Sequence, residues 1–278
     1  MKGNRIRRRG PGRALLVVAC ALAAPAAVAL ALCYGKLRGI WLDQSVIRDK
    51  GRQVSIESGQ MVKKDVIAYE LGLTNGANLA TIDFGERREA LLRKVPNLRE
   101  IRIRRFLPDR VEVAIEERKP IARLGLRGRK GDTGKVVDAE GVVFLCMRGT
   151  RLLPVIRESA APGTSPGKRL DGRARAALRL VEACHDPSFQ ELAMLDMDVS
   201  QPDWLLATIN TGTSYAKLKI AWDGMDAPET PDSRASLIRQ LTHLRDAIRT
   251  HIGDGAVIWN ATDYSYPGRI YADTKGKL

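Results

Sequence analysis

The feature that most constrains this chain is an uncharged apolar run from Ala14 to Tyr34, ALLVVACALAAPAAVALALCY, set directly behind a basic start. Its 21 residues, wound as a helix rising about 1.5 Å per residue, reach about 31 Å, the thickness of a bilayer's hydrocarbon core. Six basic residues and no acidic one fall within positions 1–13: Lys2, Arg5, Arg7, Arg8, Arg9 and Arg13. The sequence therefore predicts a cytoplasmic basic tail over 1–13 and one transmembrane helix in contact with the lipid bilayer over 14–35. The bulk of the chain falls on the extracytoplasmic side, a single-pass type II arrangement in the cytoplasmic (inner) membrane. Pro25 is compatible with this, because helices in membranes accommodate kinks. A cleaved signal peptide is the competing reading, with Ala29-Leu30-Ala31 as a small-x-small triplet. The run exceeds the roughly 7 to 15 apolar residues of a signal sequence, which favours a retained anchor.

The net charge of +14 over 278 residues suggests a nucleic-acid binder, yet setting aside the six tail cations leaves only +8. A hydrophobic fraction of 44 % and a charged fraction of 28 % leave enough apolar residues for a buried core beyond the membrane. Cys20 and Cys33 lie inside the apolar run and only Cys146 and Cys184 outside it, so no disulfide framework is present. Those two are either separate thiols or a pair, and spacing does not decide. With no CxxC pair and three scattered histidines, no metal site is expected.

After a polar linker over 36–50, residues 53–118 read strand, helix, helix, strand, strand. Val54 and Ile56 alternate with polar neighbours, as in a half-buried strand, and Gly59 follows. Val62, Val66, Ile67 and Leu71 are spaced for a helix stopped at Gly72; a second helix over 83–94 directs Ala90, Leu91 and Val95 inward and ends at Pro96. In the next two strands Ile101 and Ile103, then Val111, Val113 and Ile115, alternate with charged residues. Arg102 and Arg104 therefore share a solvated strand face, not a nucleic-acid platform, and no nucleic acid is expected as a partner.

Several motifs then carry a family resemblance. They are the Gly76-Ala77-Asn78-Leu79 turn, a helix closing on Val95-Pro96, the Leu107-Pro108 turn, and Glu117-Arg118 followed by Pro120 and Ala122. Residues 54–122 resemble the polypeptide-transport-associated (POTRA) domain of the bacterial division family FtsQ, called DivIB in Gram-positive bacteria. The likeness continues through KVVDAEGVVFLC at 135–146 and the Leu-Pro segment containing Pro154. A helix near 173–184, strands near 192–199, 205–210 and 215–220, a helix over about 232–252 and two last strands follow. Leu237, Leu241, Leu244 and Ile248 form the apolar stripe of that long helix. Asn260-Ala261-Thr262 departs from the family's aspartate-bearing segment, and the loop 223–233 matches no family motif. The expected fold is α+β: a POTRA domain (β-α-α-β-β) over 51–121, and an FtsQ-type mixed α/β domain over 122–273 ending in an edge strand. Residues 274–278 form a tail.

Signatures of catalysis are missing. The glycine-bearing stretches 128–135 and 163–169 lack phosphate-loop spacing, no G-x-S-x-G occurs, and Glu116 and Glu117 point to opposite strand faces. His185, His243 and His251 read as ordinary helix or helix-end residues. No enzyme activity and no cofactor are expected. Trp259, Tyr264, Tyr266 and Tyr271, by contrast, crowd one short stretch of a chain that is only 5 % aromatic. They either complete the core or flank a terminal edge strand at 269–272. The resemblance implies capture of FtsB/FtsL-type division proteins by strand addition there, with Tyr264, Tyr266, Arg269, Ile270 and Tyr271 as contact residues. It implies a scaffold of the septation machinery that recruits partner division proteins and links them to septal peptidoglycan synthesis. The alternative is a membrane-anchored POTRA protein of outer-membrane protein assembly or translocation.

Overall fold

A computed structural model describes residues 12–128, 133–159, 163–210, 215–250, 258–263, 265–266 and 269–273. Two compact units arise: one takes residues up to Glu57 with Lys64–Arg88 and Arg102–Ala114; the other takes Ser58–Lys63, Glu89–Ile101 and Ile115 onward.

Helix α1 (Gly12–Gln44) passes through Pro25 and continues well beyond the apolar run, so the first part of the expected linker is helical. Most side chains of the expected span, 14–24 and 26, lie outside the described residues. Among the described residues, no helix is long and apolar enough to cross a membrane. The described part of α1 nonetheless turns Val28, Leu30, Leu32, Tyr34, Leu37 and Ile40 outward.

In the first unit, the Gly76-Ala77-Asn78-Leu79 turn has a specific job. Gly76 adopts φ +85°, a left-handed conformation that glycine tolerates without strain. Asn78 Nδ2 then donates to the Leu42 carbonyl at 2.8 Å, satisfying one of the acceptors that the end of α1 leaves open, and Leu79 is buried. After the one-turn α2 (Lys50–Gln53), β1 (Val54–Glu57) pairs in parallel with β3 (Arg110–Glu117), Val54 opposite Val111 and Ile56 opposite Val113. Helix α3 (Lys64–Glu70) buries Ile67 and Ala68, and Gly72, at φ +73°, ends it in the left-handed manner. Val66 instead faces solvent.

Helix α4 (Phe84–Lys94) and β2 (Leu98–Phe106) run through both units; the three-stranded sheet has the order β1-β3-β2. Helix α4 buries Phe84 and Leu91 while Ala90 is exposed, because α4 starts from Phe84, which sets its inward face. Arg102 and Arg104 are exposed as expected, and the Arg105 guanidinium lies 4.5 Å from the Phe84 ring centre.

The second unit contains a nine-stranded mixed sheet. Its strands are β4 (Ala122–Leu126), β5 (Lys135–Val137), β6 (Val143–Leu145), β7 (Val155–Glu158), β8 (Ala193–Asp198), β9 (Leu205–Asn210), β10 (Tyr215–Ile220), β11 (Ile258–Ala261) and β12 (Tyr271–Asp273). Their spatial order is β12-β11-β10-β9-β8-β7-β4-β5-β6. Helices α5 (Gly172–Cys184) and α6 (Pro231–Thr250) share one apolar core with these strands. The α6 stripe of Leu237, Leu241, Leu244 and Ile248 is buried in it, and β9 and β10 contribute alternate residues. Strand β4 pairs in parallel with β7, and sequence patterning omitted both as strands.

Candidate functional site: the open edge of the large sheet

The two ends of the nine-stranded sheet differ. At β6 the outward backbone is already used: Gly167 N–H donates to the Val143 carbonyl at 2.7 Å, and Val143 N–H to the Lys168 carbonyl at 2.9 Å. A bridge between Val142 and Arg169 extends this cover. At the other end β12 pairs antiparallel to β11, with Ile258 opposite Asp273, Trp259 opposite Ala272 and Asn260 opposite Tyr271. Among the described residues no strand pairs with its outer side.

Strand β11 holds this edge in place. Trp259 is 3 % exposed and belongs to the core, so among the described C-terminal aromatics it is the one that completes the interior. Gln240 Nε2 on α6 donates to the Ala261 carbonyl at 2.6 Å, tying helix to strand end. The Asn260 side chain accepts from Thr262 N–H and from its hydroxyl, at 3.2 and 2.8 Å, and so turns the chain out of β11.

Tyr266 and Tyr271 are 57 % and 58 % exposed, and Arg269 is exposed as well. The Arg269 guanidinium sits 4.5 Å from the Tyr266 ring centre, a cation–π contact that fixes both side chains on the surface. Ile270 is half-buried and packs against the core, whereas Tyr264 lies outside the described residues. The strand itself begins at Tyr271, so Arg269 and Ile270 lead into it. An open strand flanked by exposed tyrosines can accept another strand through its backbone and discriminate through alternate side chains.

Among the described residues, the other sequence candidates form no metal-binding cluster and no disulfide. His185 is exposed at the end of α5 with Nδ1 2.8 Å from the Val181 carbonyl, His243 is half-buried on α6, and His251 lies outside the described residues. Cys146 and Cys184 are both free, and burial pushes the Cys184 thiol up to about 12. No cluster of potential metal ligands occurs among the described residues.

Sequence reasoning missed a polar cluster within the second unit, although two of its members sit in the Glu117-Arg118 motif. The Glu117 carboxylate accepts from the backbone N–H groups of Gln60, Met61 and Val62 at 2.9–3.1 Å. A side chain at position 59 would displace this carboxylate, because an added Cβ would overlap Glu117 Oε2. Arg118 donates to Asp138 and Glu140 at 2.5 and 3.1 Å, and Arg99 to Glu116 and Glu140, both at 2.8 Å. The Glu140 carboxyl is held below the usual glutamate range, first by the Arg118 hydrogen bond and then by Arg99, against the opposing effect of burial.

A small sheet of order β1-β3-β2, with two helices between its first two strands, defines a POTRA-type module. Residues 50–118 match the family described as "POTRA domain, FtsQ-type", and the chain carries a domain of that type. It is 38 % identical over 88 residues to a "Cell division protein FtsQ" from Neisseria meningitidis serogroup B, covering 32 % of this chain and 33 % of that protein. The protein of the same name from Neisseria gonorrhoeae gives 38 % over 88 residues, covering 32 % of each. The matched stretch thus spans about a third of the length of these relatives.

Proposed function

We propose that this chain is a non-enzymatic, membrane-anchored scaffold of the cell-division machinery. Its basic tail stays in the cytoplasm, the apolar part of α1 spans the inner membrane over 14–35, and the chain beyond residue 35 works outside the cytoplasm at the division septum. Strand β12 captures an FtsB/FtsL-type division protein by strand addition, with Tyr266, Arg269 and Tyr271 choosing the partner and Ile270 anchoring the approach to the strand. Other divisome membrane proteins join through the same chain, and the assembly couples septation to septal peptidoglycan synthesis.

The observation that carries this reading is the open β12 edge in a chain bearing an FtsQ-type POTRA domain. The contrast with β6 supports it, because proteins usually cover or blunt an edge that is not in use. Outward-facing Val28, Leu30 and Leu32 on α1 support the anchor, since lipid is the solvent that suits such a helix surface.

Depletion of the protein in its own host tests the division role. Long cells with segregated nucleoids and stalled septa are the expected result. Normal division with loss of outer-membrane proteins would reject it in favour of an assembly factor.

A further inference from the structure

At the opposite end of the large sheet, the second unit holds a cleft of about 970 Å³ between residues 59–63, the end of β3 and residues 145–148. Its apolar contribution is conspicuous: Met61, Leu145 and Met147 are 36 %, 53 % and 78 % exposed. Flexible thioether side chains adapt to varied apolar shapes, so methionines suit a surface that is covered only part of the time. The walls are set in advance. Asn97 Nδ2 donates to the Leu145 carbonyl at 2.7 Å, Cys146 N–H to the Gly134 carbonyl at 2.9 Å, and Glu117 grips the 60–62 backbone.

The charges of the cleft are unequally committed. Glu117 is taken by backbone N–H groups, Glu116 by Arg99, and Arg118 by Asp138 and Glu140. Lys63, Lys119 and Arg148 also line the cleft and are exposed, and they have no carboxylate partner among the described residues. What remains toward solvent is exposed apolar surface together with cations that have no carboxylate partner among the described residues.

We propose that this cleft is a second docking site, taking a segment of a partner protein in which large apolar side chains are flanked by aspartate or glutamate. The apolar groups bury Met61, Leu145 and Met147, and the carboxylates meet Lys63, Lys119 and Arg148. A concave site suits an inserted segment better than a flat anionic bilayer, and complementary charge provides partner choice and rate of encounter. The site is separate from β12 and does not depend on strand addition there.

The test uses the full chain in detergent micelles and a short labelled peptide of leucines flanked by glutamates, read by fluorescence anisotropy. Control peptides replace glutamate by lysine, or leucine by serine. The expected result is binding at least about tenfold tighter than to either control, weakened about threefold or more by Lys119→Glu and by Arg148→Glu, and abolished by Met147→Asp. All three residues are exposed, and Met147→Ser gives the same reading should the aspartate variant fail to fold. Absent binding, equal binding to the controls, or loss through Tyr271→Ala in place of the cleft variants would overturn the proposal. So would failure of the peptide to bind while Lys119→Glu and Arg148→Glu reduce adsorption to phosphatidylglycerol vesicles, which would make these cations a lipid-binding surface.

Discussion

Arg118 and Asp138 meet at 2.5 Å between guanidinium Nη1 and carboxylate Oδ2, with side chains only 13 % and 7 % exposed. Asp138 also accepts from Val142 N–H at 2.8 Å, so the same carboxylate closes the β5–β6 turn, in which Gly141 takes φ +82°. Removing Asp138 takes away the more buried of the two carboxylates on Arg118, leaving Glu140 as its partner, and also orphans the buried Val142 N–H. Asp138→Ala is therefore expected to cost about 1–3 kcal/mol of unfolding free energy. Glu140→Gln, at the more exposed end of the cluster, should cost less than about 1 kcal/mol. Denaturant unfolding of the two variants checks the ranking, and equal costs would contradict it.

Acid should affect two glutamates in opposite senses. Glu140 has a lowered folded-state pKa through its hydrogen bond from Arg118, so its stabilisation is complete above the unfolded glutamate value of about 4.3 and is lost as pH falls through the folded value. Burial raises the pKa of Glu182, whose charged form therefore penalises the fold at neutral pH, and the penalty is relieved as pH falls through that raised value. Urea midpoints measured from pH 7 to pH 3 should show Glu140→Gln below the parent and Glu182→Gln above it at neutral pH. Both gaps should narrow in acid. Parallel curves would contradict both assignments.

Gly59 is expected to resist substitution for a reason of space. In Gly59→Ala the new methyl would displace the Glu117 carboxylate, which the ideal Cβ position overlaps, and release the N–H groups of residues 60–62. A loss of about 1–3 kcal/mol should follow, read as a lower thermal midpoint. Glu117→Gln, which keeps an acceptor but not the charge, should lose less.

Much of this architecture was legible before any coordinates. Strict alternation in Val111, Val113 and Ile115, and the 3.6-residue stripe of Leu237, Leu241, Leu244 and Ile248, mark elements whose one buried face dictates the pattern. Short β4 was not legible: ARLGL, buried almost throughout, has little alternation to read, and its register partners in β7, such as Val155 opposite Arg123, lie far along the chain. Val66 and Ala90 were assigned inward from spacing alone, but the phases of α3 and α4 are set by Ile67 and Phe84. At the edge, the crowding of aromatics was visible in sequence, whereas its division into buried Trp259 and exposed Tyr266 and Tyr271 depends on register with β11. The Glu117 and Arg118 contacts escaped for a related reason, since their partners are distant in sequence and carry no periodicity.

Tyr271 offers a separation of folding from binding. Its side chain is 58 % exposed, so Tyr271→Ala should alter stability by less than about 0.5 kcal/mol. As an aromatic anchor of the β12 edge it should nonetheless weaken partner capture by about 2 kcal/mol or more, some 30-fold. Thermal unfolding and a titration with the partner's extracytoplasmic segment measure the two effects. A stability loss as large as the binding loss would make Tyr271 structural.

The most direct test of strand addition is amide hydrogen exchange on the full chain, with and without the extracytoplasmic segment of the proposed FtsB-type division partner. The account predicts new protection centred on Tyr271–Asp273, with the covered β6 edge unchanged. Binding that leaves the β12 amides exchanging at their free rate would contradict it.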